Sequence, residues 1–373
     1  MRIAQIAPLI ESVPPKGYGG TERIVGYLTE QLVRFGHKVT LFAAADSQTS
    51  AELVPCAEQA LRLDERYTDP VPHTLLMLER VRRRADSFDV LHFHVDLLHF
   101  PMFREIAQRT VTTLHGRLDL MDLMPFYREF AEMPVVSISN AQRAPMPPVA
   151  WAGNVYHGIP RELCLPKQRP RGDYLAFLGR ISPEKGIDRA IEIAIGIGLP
   201  LKIAAKVDKV NREYYRQIAS RLEHPLVSYV GEVGDREKSE FLGNARALLF
   251  PIDWPEPFGL VLIEAMACGT PVIAYPHGSV PEIVEHGVTG FVVDSVDGGI
   301  QAAAAAARID RRRIRQRFER RFTAERMARD YLAIYRGLLE DSLSQSLVHS
   351  RNKTLRHQSD RLSAESDYPS QIE

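Results

Sequence analysis

Glu256 and Glu264 stand eight residues apart in the stretch Pro255-Glu256-Pro257-Phe258-Gly259-Leu260-Val261-Leu262-Ile263-Glu264. Carboxylates at such a spacing can accept paired hydrogen bonds from the diols of a sugar or a ribose. Glu256 sits in a proline-flanked loop. Glu264 falls about one and a half turns into a helix that begins near Phe258, among Leu262, Ile263, Ala265 and Met266, where a carboxylate needs a partner. The helix start between them offers free N–H groups to a phosphate. A second candidate is Phe177-Leu178-Gly179-Arg180-Ile181-Ser182-Pro183-Glu184-Lys185-Gly186. Arg180 can grip two oxygens and Lys185 supplies a point charge, a combination that suits a diphosphate. The plainer possibility for this loop is two exposed surface cations. A third is Pro15-Lys16-Gly17-Tyr18-Gly19-Gly20-Thr21-Glu22, where glycines let backbone approach a ligand and the following helix start can meet an anion. It lacks the G-x-G-x-x-G spacing, and a plain tight turn would explain it equally.

His115, before Gly116 at the end of a strand, is either structural or aimed at a ligand beyond the sheet edge. His92, His94 and His99 form another cluster. His92 and His94 share one side of a strand, which makes a metal pair conceivable, but no third ligand of the acidic or thiol kind accompanies them, and packing with loop hydrogen bonds is favoured. No D-x-D sequence is present to hold a divalent cation on a diphosphate, so the expectation is a metal-independent site with no cofactor, in which Arg180 and Lys185 neutralise charge.

The elements that must position these residues alternate between strand-length apolar runs and helical periodicity. Strands are predicted at Arg2–Pro8, Lys38–Ala44, Val90–His94, Val111–Leu114, Val135–Ile138 and Asn154–Tyr156, with a helix from Thr21, whose Ile24, Val25, Leu28, Leu32 and Val33 share a face. After a polar, proline-bearing stretch at residues 160–173 the rhythm restarts, with strands at Tyr174–Leu178, Leu201–Ala205, Val227–Val230, Ala247–Phe250, Val272–Ala274 and Gly290–Val293. Such alternation implies an α/β protein with two parallel, doubly wound sheets whose carboxyl edges face each other across a cleft. Helical periodicity returns from Ile300 to about Leu339, and the final residues, 341–373, read as a polar, mobile tail.

Composition agrees with this. The 373 residues are 45% apolar, with 47 basic and 47 acidic side chains. That length implies two domains, and the balanced charge gives no argument for a nucleic-acid partner. Three cysteines without paired spacing suit a reducing compartment. The amino-terminal apolar run is short for a secretory signal, and no run approaches the ~18 residues of a membrane span, so a cytoplasmic location is expected. Arg311 to Arg321 carries seven arginines in eleven residues, and Arg80 with Arg82–Arg84 forms a second cluster. A solvated helix face is the plainer explanation; peripheral contact with an anionic membrane is the sharper one.

Taken in order, these fragments resemble retaining glycosyltransferases of family 4, which have the GT-B fold. The resemblance runs from Met1 to about Leu339 and rests on Glu256 to Glu264 as an E-x7-E element continued by Ala265-Met266-Ala267-Cys268-Gly269-Thr270-Pro271-Val272. Gly179-Arg180…Lys185-Gly186, Gly19-Gly20-Thr21-Glu22, His157-Gly158-Ile159-Pro160 and Pro281-Glu282-Ile283-Val284…Gly287-Val288-Thr289-Gly290 support it. The resemblance implies an acceptor-side Rossmann-like domain at 1–160, a donor-nucleotide domain at 161–321, and a helix at 322–340 that crosses back to the first. It implies transfer of a hexose from a nucleotide-diphosphate sugar (a UDP-hexose first, GDP-mannose next) to a carbohydrate, lipid-linked or small-molecule hydroxyl, chosen by loops near Asp119–Met133 and Arg143–Trp151. Gly19 and Gly20 would approach the diphosphate from one domain while Arg180 and Lys185 bind it from the other. Glu264 would hold the ribose and Glu256 the hexose, near the amides of Phe258, Gly259 and Leu260. His115 would contact the sugar and help to stabilise departing charge. Two departures from the family pattern are a compact Arg180–Lys185 loop and His157 where asparagine is frequent. A nicotinamide dehydrogenase would need the missing glycine pattern, with Asp46 as its acid, and would leave Glu256 and Glu264 unexplained. A non-catalytic sugar-nucleotide-binding protein is a rival of a different class, and an inverting transferase is the nearest enzymatic rival.

Overall fold

The structure, a computed structural model, describes residues 1–17, 19–64, 66–207 and 211–341. The tail expected at 341–373 lies, beyond its first residue, outside the described residues. The first sheet contains β1 (Arg2–Ile6), β2 (Lys38–Ala44), β3 (Glu52–Ala57), β4 (Val90–Phe93), β5 (Thr110–Thr113), β6 (Val135–Ser137) and β7 (Trp151–Asn154), in the order β3-β2-β1-β4-β5-β6-β7. The second contains β8 (Leu175–Arg180), β9 (Leu201–Lys206), β10 (Val227–Gly231), β11 (Ala247–Phe250), β12 (Val272–Ala274) and β13 (Gly290–Val292), in the order β10-β9-β8-β11-β12-β13. Every pairing is parallel. In each sheet the order reverses beside the first strand, between β1 and β4 and between β8 and β11. That reversal opens a crevice at the carboxyl edge.

Two strands differ from the expectation. β3 escapes it because an edge strand needs only one good face: Val54 is half-buried, Cys56 buried, and Pro55 is tolerated where a ladder bond is not required. β7 begins three residues early, at Trp151. There the apolar side chains are only half-buried and the alternation is weak. The periodic stretch expected from Ile300 to Leu339 divides into the helices Val296–Ala305 and Arg311–Arg321 and a third at 324–341.

That third helix belongs to the first sheet. Its Met327, Ala328, Tyr331, Leu332 and Tyr335 pack with Ile3, Val90, Val111 and Val136 and with Ile24, Leu28 and Leu32 of the helix Gly20–Arg34. The chain returns at a short parallel bridge between Ile159 and Thr323. Gly158 lies so close to this crossing that a Cβ placed on it would stand 2.2 Å from the Thr323 carbonyl oxygen. Two further ties join the halves. The Glu282 carboxylate accepts from the N–H groups of Asn140 and Ala141 and from the Tyr156 hydroxyl, and Ser139 Oγ donates to the Pro257 carbonyl.

The arginine run is not simply a solvated face. Arg311 donates to the carbonyls of Gly243 and Ala245, Arg315 to those of Arg161, Cys164 and Ala267, and Arg321 to that of Glu282. These guanidiniums cap backbone oxygens that the packing would otherwise strand. In the second cluster Arg82 and Arg83 pair with Glu79, and Arg84 pairs with Glu52.

Candidate active site

A cleft of about 870 Å³ separates the two carboxyl edges. Its lining includes Gly19, Gly20 and His115 from the first half, and Arg180, Lys185, Glu256, Phe258, Gly259, Leu260 and Glu264 from the second, but not His92, His94 or His99. The glycine loop follows β1 and the Arg180 loop follows β8, so each is delivered by the first strand of its own sheet. Gly20 faces Leu260 across the gap, where an added Cβ would lie 3.6 Å from Leu260 Cδ1.

Glu256 is held from two sides. Lys185 Nζ lies 2.6 Å from its Oε2, and the Trp254 indole N–H donates to the same oxygen at 2.9 Å. The Lys185 ammonium also stands 4.5 Å from the centre of the Trp254 ring. Lysine and glutamate side chains are each only 12% exposed, so the attraction is little screened. The helix Leu260–Ala267 starts immediately afterwards because Gly259 turns the chain at φ 81°, in the left-handed region open to glycine. Phe258, Gly259, Leu260 and Val261, at that turn and helix start, line the cleft.

Glu264 lies in that helix and is 2% exposed. The partner that its burial demands is Lys238, whose Nζ sits 2.6 Å from Oε1 and 3.1 Å from Asp235 Oδ1. Asp235 in turn pairs with Arg23, whose guanidinium also donates to the Gly17 carbonyl at 2.8 Å. Four alternating charges thus run from Glu264 in one half to the glycine loop of the other. Burial works against the charged form of Asp235, yet Lys238 and Arg23 overcome it and hold its carboxyl below the ordinary range. Burial also works against the Lys238 ammonium; Glu264 and Asp235 together more than offset it and keep the group protonated. The sequence offered no sign of this relay. Lys238 sits in a polar helix, Asp235–Gly243, that reads as surface.

His115 Nε2 lies 2.9 Å from His94 Nδ1, and its ring stacks on His157 with centroids 5.3 Å apart. Burial lowers His115 to about 3, so the ring is neutral at ordinary pH. A neutral imidazole offers a ligand a dipole and no net charge. His92 and His99 are hydrogen-bonded to Thr113 and Thr112, as a packing role requires. Among the described residues no group of three His, Cys, Asp or Glu side chains could hold a metal ion, and no helix is long and apolar enough to cross a membrane.

Residues 18–150 match the family described as Glycosyltransferase Family 4, and residues 166–322 the family described as Glycosyl transferases group 1. The chain is 27% identical over 349 residues to phosphatidyl-myo-inositol mannosyltransferase of Mycobacterium leprae (strain TN), covering 85% of this chain and 90% of that one. Among solved structures, AviGT4, a glycosyltransferase involved in Avilamycin A biosynthesis, is similar at a TM-score of 0.72 and 26% identity, covering 91% of this chain and 98% of its own. Anabaena Alr3699/HepE, solved in complex with UDP and glucose, gives 0.69 at 18% identity over 89% of this chain and 98% of its own, a likeness of fold. With its sheets arranged as in those proteins and the two family matches spanning residues 18–322 but for a short join, the chain belongs to glycosyltransferase family 4 and has the GT-B fold.

Proposed function

We propose that this glycosyltransferase moves a hexose, with retention, from a nucleoside diphosphate sugar to a hydroxyl of a saccharide, a lipid-linked saccharide or a small metabolite, and does so without a metal. A uridine diphosphate hexose is the first choice of donor and guanosine diphosphate mannose the second. The observation that carries this is the convergence of Arg180, Lys185, Glu256 and Glu264 from one sheet and Gly19, Gly20 and His115 from the other on a single cleft. Glu264 accepts from the ribose hydroxyls and Glu256 from the hexose. The bond from the anomeric carbon to the diphosphate oxygen breaks, its electron pair goes to that oxygen, and Arg180, Lys185 and the amides at the start of Leu260–Ala267 offset the charge that develops. The anomeric carbon passes through an oxocarbenium-like state. Among the described residues we name no side chain as nucleophile and therefore infer attack from the leaving-group face, with a phosphate oxygen taking the acceptor proton. Arg23 and Asp235 tie the two walls together at the nucleoside end and help to exclude water.

The test is thermal-shift binding of a nucleotide-sugar panel in the presence of a chelator, on wild type and Glu264→Ala. A ligand at a hundredfold excess over its Kd stabilises by about 2.7 kcal/mol, which reads as a shift of degrees. One nucleotide sugar should shift the wild type and fail to shift the variant. No shift with any of them on folded protein would overturn the donor site. Donor binding without turnover on a broad acceptor panel would favour a non-catalytic binding protein. An inverted product anomer would overturn retention, and a trapped covalent glycosyl–enzyme would overturn attack from the leaving-group face.

A further inference from the structure

Behind His115 lies a buried polar network that the proposed chemistry leaves unused. His94 Nε2 is 2.9 Å from Gln5 Oε1, and the Gln5 amide nitrogen faces the Tyr335 hydroxyl at 3.2 Å. Tyr335 Oη meets His92 Nδ1 at 2.7 Å, His92 Nε2 meets Thr113 Oγ1 at 2.7 Å, and Thr113 Oγ1 meets Tyr331 Oη at 2.8 Å. Gln5, His92, Thr113, Tyr331 and Tyr335 are fully buried and His94 is 2% exposed. Gln5 and His92 are direct neighbours across β1 and β4, while the tyrosines come from one face of the helix at 324–341.

This network has a direction. A carboxamide oxygen only accepts, so His94 Nε2 carries the proton that meets Gln5 Oε1. A neutral His94 then has a bare Nδ1, and the 2.9 Å contact to His115 requires His115 Nε2 to donate. Beyond Gln5 the same order continues: the Tyr335 hydroxyl accepts from the amide and donates to His92 Nδ1, and His92 Nε2 donates to Thr113. His115 is left with Nδ1 unprotonated. That atom meets no partner among the described residues, is not sealed from solvent, and belongs to a residue on the cleft wall.

We propose that Gln5 and His94 are positioning residues that fix His115 as its Nε2–H tautomer, so that the atom left to accept a hydrogen bond from a hydroxyl of the transferred hexose is the bare Nδ1. The hexose clause rests on the proposed function; the tautomer does not.

Long-range ¹H–¹⁵N correlation spectra of the histidine rings in the full chain at neutral pH read the tautomer without any substrate. The expected wild-type spectrum shows protonated Nε2 and bare Nδ1 in His94 and His115. Gln5→Leu should mix the His115 tautomers, while Gln5→Glu, which keeps an oxygen toward His94, should restore the wild-type pattern. A wild-type spectrum with the proton on His115 Nδ1, the order obtained when the Gln5 amide is turned over, would overturn the assignment. So would an unchanged His115 tautomer in a folded Gln5→Leu protein. If no nucleotide sugar binds, the hexose clause falls with the proposed function while the spectrum still decides the tautomer.

Discussion

The Lys238–Glu264 pair shows how much one buried charge depends on its neighbour. Both side chains are at least 90% covered, at 10% and 3% exposure. Removing the ammonium alone leaves an unpaired carboxylate in the helix, a change that costs about 3–5 kcal/mol. Lys238→Met should therefore lower Tm by several degrees in calorimetry. The double variant Lys238→Met, Glu264→Leu should recover most of that loss without recovering donor binding; strictly additive losses would argue against the pair. At Lys185 the effect falls on rate. On the proposed function, in which Lys185 meets the diphosphate, Lys185→Gln should lower kcat about a hundredfold or more in a transfer assay, and an unchanged kcat would remove Lys185 from the chemistry. Glu264 was legible in the sequence because a carboxylate between Ile263 and Ala265 demands an explanation. Its partner was not, since Lys238 precedes it by 26 residues and nothing in local spacing reports which cation folds back onto it.

Between elements, the crossing at Gly158 and Thr323 sets how the two halves meet. A methyl group on Gly158 has no room, because the obstacle is backbone, the Thr323 carbonyl, and not a side chain that can swing away. Gly158→Ala should displace the crossing and loosen residues 324–341, which hydrogen exchange would register as faster exchange in that helix; unchanged protection would show that the crossing has more freedom than its packing suggests. Strands and helices of both sheets were readable from periodicity, since a parallel strand covered on both faces is an apolar run. β3 was not, because an edge strand lacks such a run. The same limit hid the purpose of the arginines: their spacing announced charge, but the carbonyls of Gly243, Ala245, Cys164 and Ala267 that they cap are tertiary facts.

For the molecule as a whole, the buried histidines set a pH window. Burial keeps His92, His94, His99 and His157 well below their ordinary value and lowers His115 to about 3. In an unfolded chain each titrates near 6.5. Above that pH both states are neutral at these positions and they add no pH dependence. Below it the unfolded chain takes up protons that the folded one refuses, so stability falls with pH by about 1.4 kcal/mol per unit for each fully linked histidine. Tm should be nearly flat above about pH 7 and drop steeply below about pH 6; a flat Tm down to about pH 5 would show that the histidines admit protons while folded. The two-sheet architecture was legible because the β–α rhythm repeats on either side of residues 160–173. The network behind His115 was not, because it is assembled from β1, β4, β5 and a helix more than 300 residues after Gln5.

That distance bears on how the protein is made. The first sheet is synthesised before the second, yet its core lacks Tyr331 and Tyr335 until the second has been made. Until then Gln5 and His92 lack the hydroxyls that complete their hydrogen bonds, and the apolar face of β1 and β4 is open to water or to other chains. The amino-terminal half is therefore a late finisher despite being an early starter, with the high contact order that slows folding. A nascent chain halted after Phe322 would hold a second sheet with its core complete beside an unsealed first one, a species for chaperones to shelter.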